Sequence, residues 1–333
     1  MPPRRTVLRG AGWTGLSILL GLGLSGCGIR LEDDAPTIPF LSRQPIPDEA
    51  LLVAAYRRAV ELSAVAARAS EVPLGAEVAQ RHTRQAQVLR AILDAGQVPE
   101  RVISGPAGAA TGSPPLLPTA APTAAPTAGT TTGAATAPTG PAAVSADELG
   151  RTARGTADAS IAAAGAYVTH RALGVAVAAH DAATANILGA PPVWPASDPL
   201  PTSVATPLLE VTRASGYAIQ VAASHLLDTE RAGLLATIVA LSRREAALAA
   251  GLTPVPLPTL GYRLPFPVTA PAEARRLVVT VLSNLIDRGL DGIERIPPGS
   301  SALIEVVRLE AEAVSLAAGH GVAWPTMPGL ALG

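Results

Sequence analysis

Two histidines lie where a helical bundle would keep its chemistry. His82 falls in the stripe Leu74, Val78, His82, Gln85, Leu89 and Ile92, and His180 in the stripe Leu173, Val177, His180, Thr184 and Ile187. Both stripes repeat every three or four residues, so each imidazole belongs to the apolar face of a helix. Neutral imidazole ligates metals and haem iron, and two such rings facing one another would form a degenerate metal or haem site. The same two rings, each hydrogen-bonded to a carbonyl or a hydroxyl, would be satisfied core side chains. Thr184, one turn beyond His180, supplies a hydroxyl at that spacing.

A second constellation is charged. Glu245 follows Leu241 by four residues, Arg288 follows Val281 by seven, and Glu310 lies in the stripe Leu303, Val307 and Val314. Helical spacing turns all three inward. There they would form either a ligand or proton-handling pocket or a buried ion network, because an unpaired charge inside a bundle is too costly to keep. Other catalytic signatures are missing. There is no Glu-x-x-His, no G-x-S-x-G elbow, no H-E-x-x-H and no phosphate-cradling glycine loop. No lysine occurs, which excludes Schiff-base chemistry and a P-loop lysine.

The third feature is an address. Arg4 and Arg5 precede an apolar run over residues 13–24, too short for a comfortable membrane span, and Leu24-Ser25-Gly26-Cys27 follows. Paired arginines of this kind resemble a twin-arginine export signal. The tetrapeptide resembles a bacterial lipobox, whose cysteine is acylated and becomes the mature N-terminus. Cys27 is the chain's one cysteine, so disulfides and Cys-based metal sites are excluded as well.

The elements that would position these groups are helices. Residues 28–46 read as a polar tether. Periodicity predicts helices over 48–70 and 74–95, then over 145–167 and 169–188 with a break near Gly165. Between these pairs, residues 105–144 change to Ala, Pro, Thr and Gly with almost no charge, a composition that cannot bury enough apolar surface to order itself. That segment is expected to be a disordered crossover, and its Thr and Pro content also suits O-glycosylation. A proline-bearing linker over 191–206 leads to a second set, with helices predicted over 207–227, 229–250, from Pro271, and from Ser300 or Ser301 to about residue 318. Pro258, Pro265 and Pro267 forbid a helix over 257–268, so that stretch must be an extended strap between two hairpins. The expectation is an all-α chain of two tandem four-helix bundles over 47–190 and 207–333, each with one long connection.

Composition agrees. Of 333 residues, 48% are hydrophobic and only 3% aromatic, which suits Ala/Leu/Val helix packing and leaves few rings to stack on bases. The formal net charge of −1 supplies no field to draw nucleic acid.

Residues 208–330 resemble the actinobacterial ferritin-like domain of unknown function labelled DUF4439. The resemblance is carried by Ser242-Arg243-Arg244-Glu245, by the strap Tyr262-Arg263-Leu264-Pro265-Phe266-Pro267-Val268, and by the ending Trp324-Pro325-Thr326-Met327-Pro328-Gly329-Leu330. Residues 48–190 resemble the less regular ferritin-like half that precedes it in twin-arginine lipoproteins. The chain departs from the pattern at Ser215-Gly216, where the family tends to carry an acidic residue and a histidine, and at Ala270, where it tends to carry Asp. A ferritin-like di-metal site needs a Glu from each of two helices and a Glu-x-x-His from each of the others, whereas Ala79 and Val177 stand three residues before His82 and His180. The resemblance therefore implies the fold without the metal. The expected protein is an exported lipoprotein, anchored to the membrane, with a structural or interaction role at the cell envelope and no cofactor. Its partners would be the membrane and an envelope protein or ligand. A binding protein for a lipidic ligand, haem or a metal ion, and a degenerate di-iron oxidase, are the alternatives.

Overall fold

The structure is a computed structural model describing residues 43–69, 71–105 and 143–330. The signal, Cys27, most of the tether and nearly all of the 105–144 crossover lie outside the described residues. The chain divides into two compact units, residues 1–44 and 45–333.

Among the described residues every regular element is helical, as expected. These are α1 (Glu49–Arg68), α2 (Gly75–Ala95), a short α3 (Glu100–Ser104), α4 (Ala146–Ala164), α5 (Arg171–Ile187), α6 (Thr202–Ser224), α7 (Asp228–Ala250), α8 (Pro271–Asp287) and α9 (Ala302–Gly319). None of them is long and apolar enough to cross a membrane. α1 packs on α2, α4 on α5, α6 on both α7 and α8, and α8 on α9. The two sets of four long helices share one core, because α5 also packs along α9. α5 is buried on nearly every side from Leu173 to Ala185, the pattern of a central helix.

The turn between α4 and α5 is fixed from the start of α1. Asp48 accepts hydrogen bonds from the backbone N–H groups of Val168, Thr169 and His170 at 3.0, 2.9 and 2.8 Å, and so caps a helix 120 residues away. Burial works against the charge on Asp48, yet these amides hold its carboxyl below the usual range. α8 begins as the sequence predicts. Pro271 occupies its first turn, and Glu273 Oε2 accepts from the backbone of Ala270 at 3.1 Å.

Two expectations need correction. The fifth long segment starts at Thr202 rather than at Pro207, which places a proline inside α6. Pro207 cannot donate to the carbonyl of Ser203. Arg295, in the 3₁₀ turn Ile293–Arg295, donates to that oxygen instead at 3.0 Å, so the helix is satisfied from outside. The short α3 was not predicted. Its end is tied to α1 by Arg57, which donates to the carbonyls of Ile103 and Val102 at 2.8 and 2.7 Å.

The strap is non-helical over 252–270, as its prolines require. It runs from the end of α7 to the start of α8 and is pinned to α6 on the way. Arg213 Nη1 donates to the carbonyl of Pro256 at 2.8 Å, and the Tyr262 hydroxyl reaches Glu210 at 3.3 Å.

Candidate functional sites

The first site forms where α2, α4 and α5 meet. His82 and His180 face each other with ring centroids 4.8 Å apart and planes at 64°, and both are buried. Gln85 Nε2 donates to Asp181 Oδ1 at 3.3 Å, which orients the Gln85 amide so that its Oε1 faces His82 Nδ1 at 3.0 Å. An amide oxygen only accepts, so the His82 proton sits on Nδ1 and Nε2 is left to Thr184 Oγ1 at 3.3 Å. The single hydroxyl proton of Thr184 is shared between that nitrogen and the backbone carbonyl of His180, 2.9 Å away. Ser160 donates to Asp181 Oδ2 at 2.5 Å. His180 Nδ1 donates to the Pro325 carbonyl at 3.0 Å, which leaves its Nε2 lone pair buried and unpartnered.

Residues 321–330 close this site. Arg81 donates to the Trp324 carbonyl at 2.6 Å, and the Trp324 ring stands edge-on to His180 at 6.5 Å. The Trp324 indole N–H is buried without a partner. At the end of the segment Gly329 has φ +72°, and a Cβ there would meet Leu290 at 2.5 Å, so this return of the chain requires glycine. A groove of about 520 Å³ runs beside the segment, lined by Leu74, Glu77, Ile187, Ser315, Val322 and Trp324 among others.

Burial controls the electrostatics. It holds His82 down to about 4 and, with His82 close by, His180 down to about 3, so both rings are neutral at pH 7. Burial pushes the Asp181 carboxyl up.

The donor set does not fit a carboxylate-bridged di-metal centre. The residues that α1 and α4 bury are mostly Ala and Leu, with Ser160 and Thr156 as the nearest polar ones, and Asp181 is already committed to Ser160 and Gln85. Among the described residues no group of three or more His, Cys, Asp or Glu is placed to hold a metal ion.

The second site lies between α7, α8 and α9, and here the structure corrects the expected trio. Glu310 is fully buried, but Glu245 and Arg288 are not its partners. Glu245 is paired with Arg213 of α6 at 2.8 Å and is over a third exposed. Arg288 is half exposed and pairs with Asp291. Arg288 still makes the helical bond to the Asn284 carbonyl, but at the last turn of α8 its long side chain turns to Asp291 in the following turn and not into the bundle. Arg288→Ala should therefore change the unfolding free energy by about 1 kcal/mol or less, as for a surface pair, which urea unfolding followed by circular dichroism would check.

The cation facing Glu310 is Arg244, which is 2% exposed. It donates through Nη1 to the Leu309 carbonyl, while its Nε and Nη2 and both Glu310 oxygens have no partner. The two groups attract without being in contact. Burial pushes Glu310 up to about 8, so at neutral pH it is largely a protonated acid. Its carboxyl rests on the Gly289 backbone, where an added Cβ would meet Oε2 at 1.5 Å.

Arg213, Arg244 and Asp181 are the residues that sequence reasoning missed. Asp181 carries a readable signal: it is the lone carboxylate of a helix apolar on all sides, and such a helix has no face that could put it in water. Arg244 carries one too: it follows Leu241 by three and precedes Leu248 by four, in the stripe begun by Leu234 and Thr237, whereas Glu245 lies about 100° to the side.

No protein-family model matches the chain, and neither does any curated protein or solved structure.

Proposed function

We propose that this chain is an exported, lipid-anchored protein of the cell envelope whose helical body acts as a structural or interaction module without a catalytic metal. The observation that carries this reading is Cys27, the only thiol in the sequence, placed at the end of a twin-arginine and apolar leader and just before a polar tether. The body supports it: His82, Gln85, Asp181, Ser160 and Thr184 are buried and use their hydrogen bonds on one another. The ferritin-like reading is supported by the helix pairs α1 with α2, α4 with α5 and α6 with α7, and by the long strap between α7 and α8. Because acylation requires the thiol, Cys27→Ser should move the protein from the detergent phase to the aqueous phase on Triton X-114 partitioning. Unchanged partitioning would overturn the lipoprotein reading.

A second reading is a binding protein for a lipidic ligand, haem or a metal ion. It is favoured by two unpartnered nitrogens, Trp324 Nε1 on a residue that lines the groove along residues 321–330, and His180 Nε2 on a ring 6.5 Å from the Trp324 ring. Elemental analysis of the purified protein, with solvent extraction and mass spectrometry, separates the two readings. A stoichiometric metal, porphyrin or lipid would replace the scaffold by the binding protein, and a redox-active iron pair would point to the degenerate di-iron oxidase.

A further inference from the structure

We propose that the tip of the strap, Val255 to Leu260, is a second membrane contact that dips into the lipid interface; this rests on the anchored reading above. The tip has the surface of an inserting loop. Leu257 is 88% exposed and Leu260 109%, more than an extended reference chain allows, and Val255 is 45% exposed. Leu260 and Leu257 are the two most exposed of the large apolar side chains in the described residues. They belong to an eleven-residue run, 252–262, that contains no charge.

The backbone is suited to leaving water. Pro254, Pro256 and Pro258 have no N–H, so three of the five residues from 254 to 258 have no donor to strand in an apolar phase. The strap is held at intervals while the side chains of Leu257 and Leu260 are free. Leu252 is buried, Pro256 O is held by Arg213, and Tyr262 is tied to Glu210. Tyr217 and Tyr262, with rings 6.0 Å apart, flank the base, and tyrosine favours the level where hydrocarbon meets headgroups.

The shape and the address select lipid over a second copy. A convex apolar tip needs a partner that deforms around it, which acyl chains do and a folded groove does only with matching shape. The sequence also places an acylation site close by. Residues 28–44 reach at most about 60 Å when extended, so the body stays near the bilayer and one added contact is enough to orient it. With a net charge of −1 and an uncharged tip, the contact is apolar and independent of anionic lipid.

The test uses residues 28–333, which contain the whole compact unit 45–333, with a hexahistidine tag in place of Cys27. That chain has no cysteine, so Leu260→Cys accepts a single environment-sensitive nitrobenzoxadiazole label, and Val60→Cys on α1 serves as the control. Held on phosphatidylcholine vesicles by a nickel-chelating lipid, the label at 260 should brighten several-fold and be quenched by doxyl-labelled acyl chains, while the label at 60 stays unchanged. Without the nickel lipid, Leu257→Ser with Leu260→Ser should lower vesicle partitioning about tenfold or more. Its melting temperature should stay the same, since neither side chain is packed. Salt should have little effect. A label at 260 that stays dim and accessible to iodide on the vesicle overturns the proposal. Brightening that depends on protein concentration without vesicles also overturns it, and assigns the tip to a second copy. Because the tag replaces the acyl chain, failure here leaves the role of Cys27 intact, and failure of the Cys27→Ser partitioning test leaves this result intact.

Discussion

Arg244→Ala should destabilise the protein by about 3 kcal/mol or more, whereas Arg244→Met combined with Glu310→Leu should stabilise it by about 1 to 4 kcal/mol. The two results differ because Arg244 occupies space as well as carrying charge. Truncation to alanine removes a long buried stem from between α7 and α9, together with the donor to the Leu309 carbonyl, and leaves a cavity. Methionine keeps the stem. Four polar atoms, Arg244 Nε and Nη2 and both Glu310 oxygens, are buried without partners, and a buried polar atom without a hydrogen bond costs about 1 to 3 kcal/mol. Replacing both side chains by apolar ones of similar size removes those costs together. Urea unfolding of the two variants decides the matter. A double variant as unstable as Arg244→Ala would mean that the charges are required for the fold. A double variant that is stable but no longer holds a co-purifying ligand would mean that they formed its site.

Stability should peak near pH 6.5 and decline on both sides for separate reasons. His82 and His180 are held by burial at about 4 and 3, below the unfolded value of 6.5. Below pH 6.5 the unfolded chain therefore binds more protons than the native one, and each histidine removes up to about 1.4 kcal/mol per pH unit as pH falls toward its native value. Glu310 has the opposite sign. Its native value of about 8 lies above the unfolded 4.5, so the native state binds the extra proton, and this contribution is present in full below 4.5 and lost as pH rises through 8. Between 4.5 and 6.5 it offsets one histidine, and Asp181, also raised by burial, flattens that limb further. From 6.5 to 8 it drives the alkaline decline, about 1.4 kcal/mol per pH unit, and Asp181 and Glu312, whose carboxyls burial also raises, act in the same direction. Glu310→Leu should weaken the alkaline limb and steepen the acid limb, while His180→Leu should make the acid limb shallower. Denaturation curves at intervals between pH 4.5 and 8.5 read both effects as differences from the wild type. An alkaline decline left unchanged by Glu310→Leu would remove Glu310 from this account.

The helices were legible because their cause is local. Apolar residues at three- and four-residue intervals, Pro271 with Glu273 at the start of α8, and the prolines of the strap act within one or two turns, and they place α1, α2, α5 and α9 within a few residues of the expected ends. The same periodicity put His82, His180 and Glu310 inside, where the structure has them. It failed at Arg288 because spacing places a Cα and not a charged end, and in the last turn of α8 the guanidinium reaches Asp291 and solvent. Partners were not legible at all. Thr184 was the expected hydroxyl for His180, yet it serves His82, while His180 turns to Pro325, 145 residues on. Asp48 caps α5 across 120 residues, and Arg295 replaces the donor that Pro207 lacks in α6. Each of these bonds exists because a buried polar group must find a partner wherever the packed chain offers one. Sequence spacing fixes which face of a helix a side chain occupies. Only the packing of α5 against α9, and of residues 321–330 over α2, decides which distant atom it meets there.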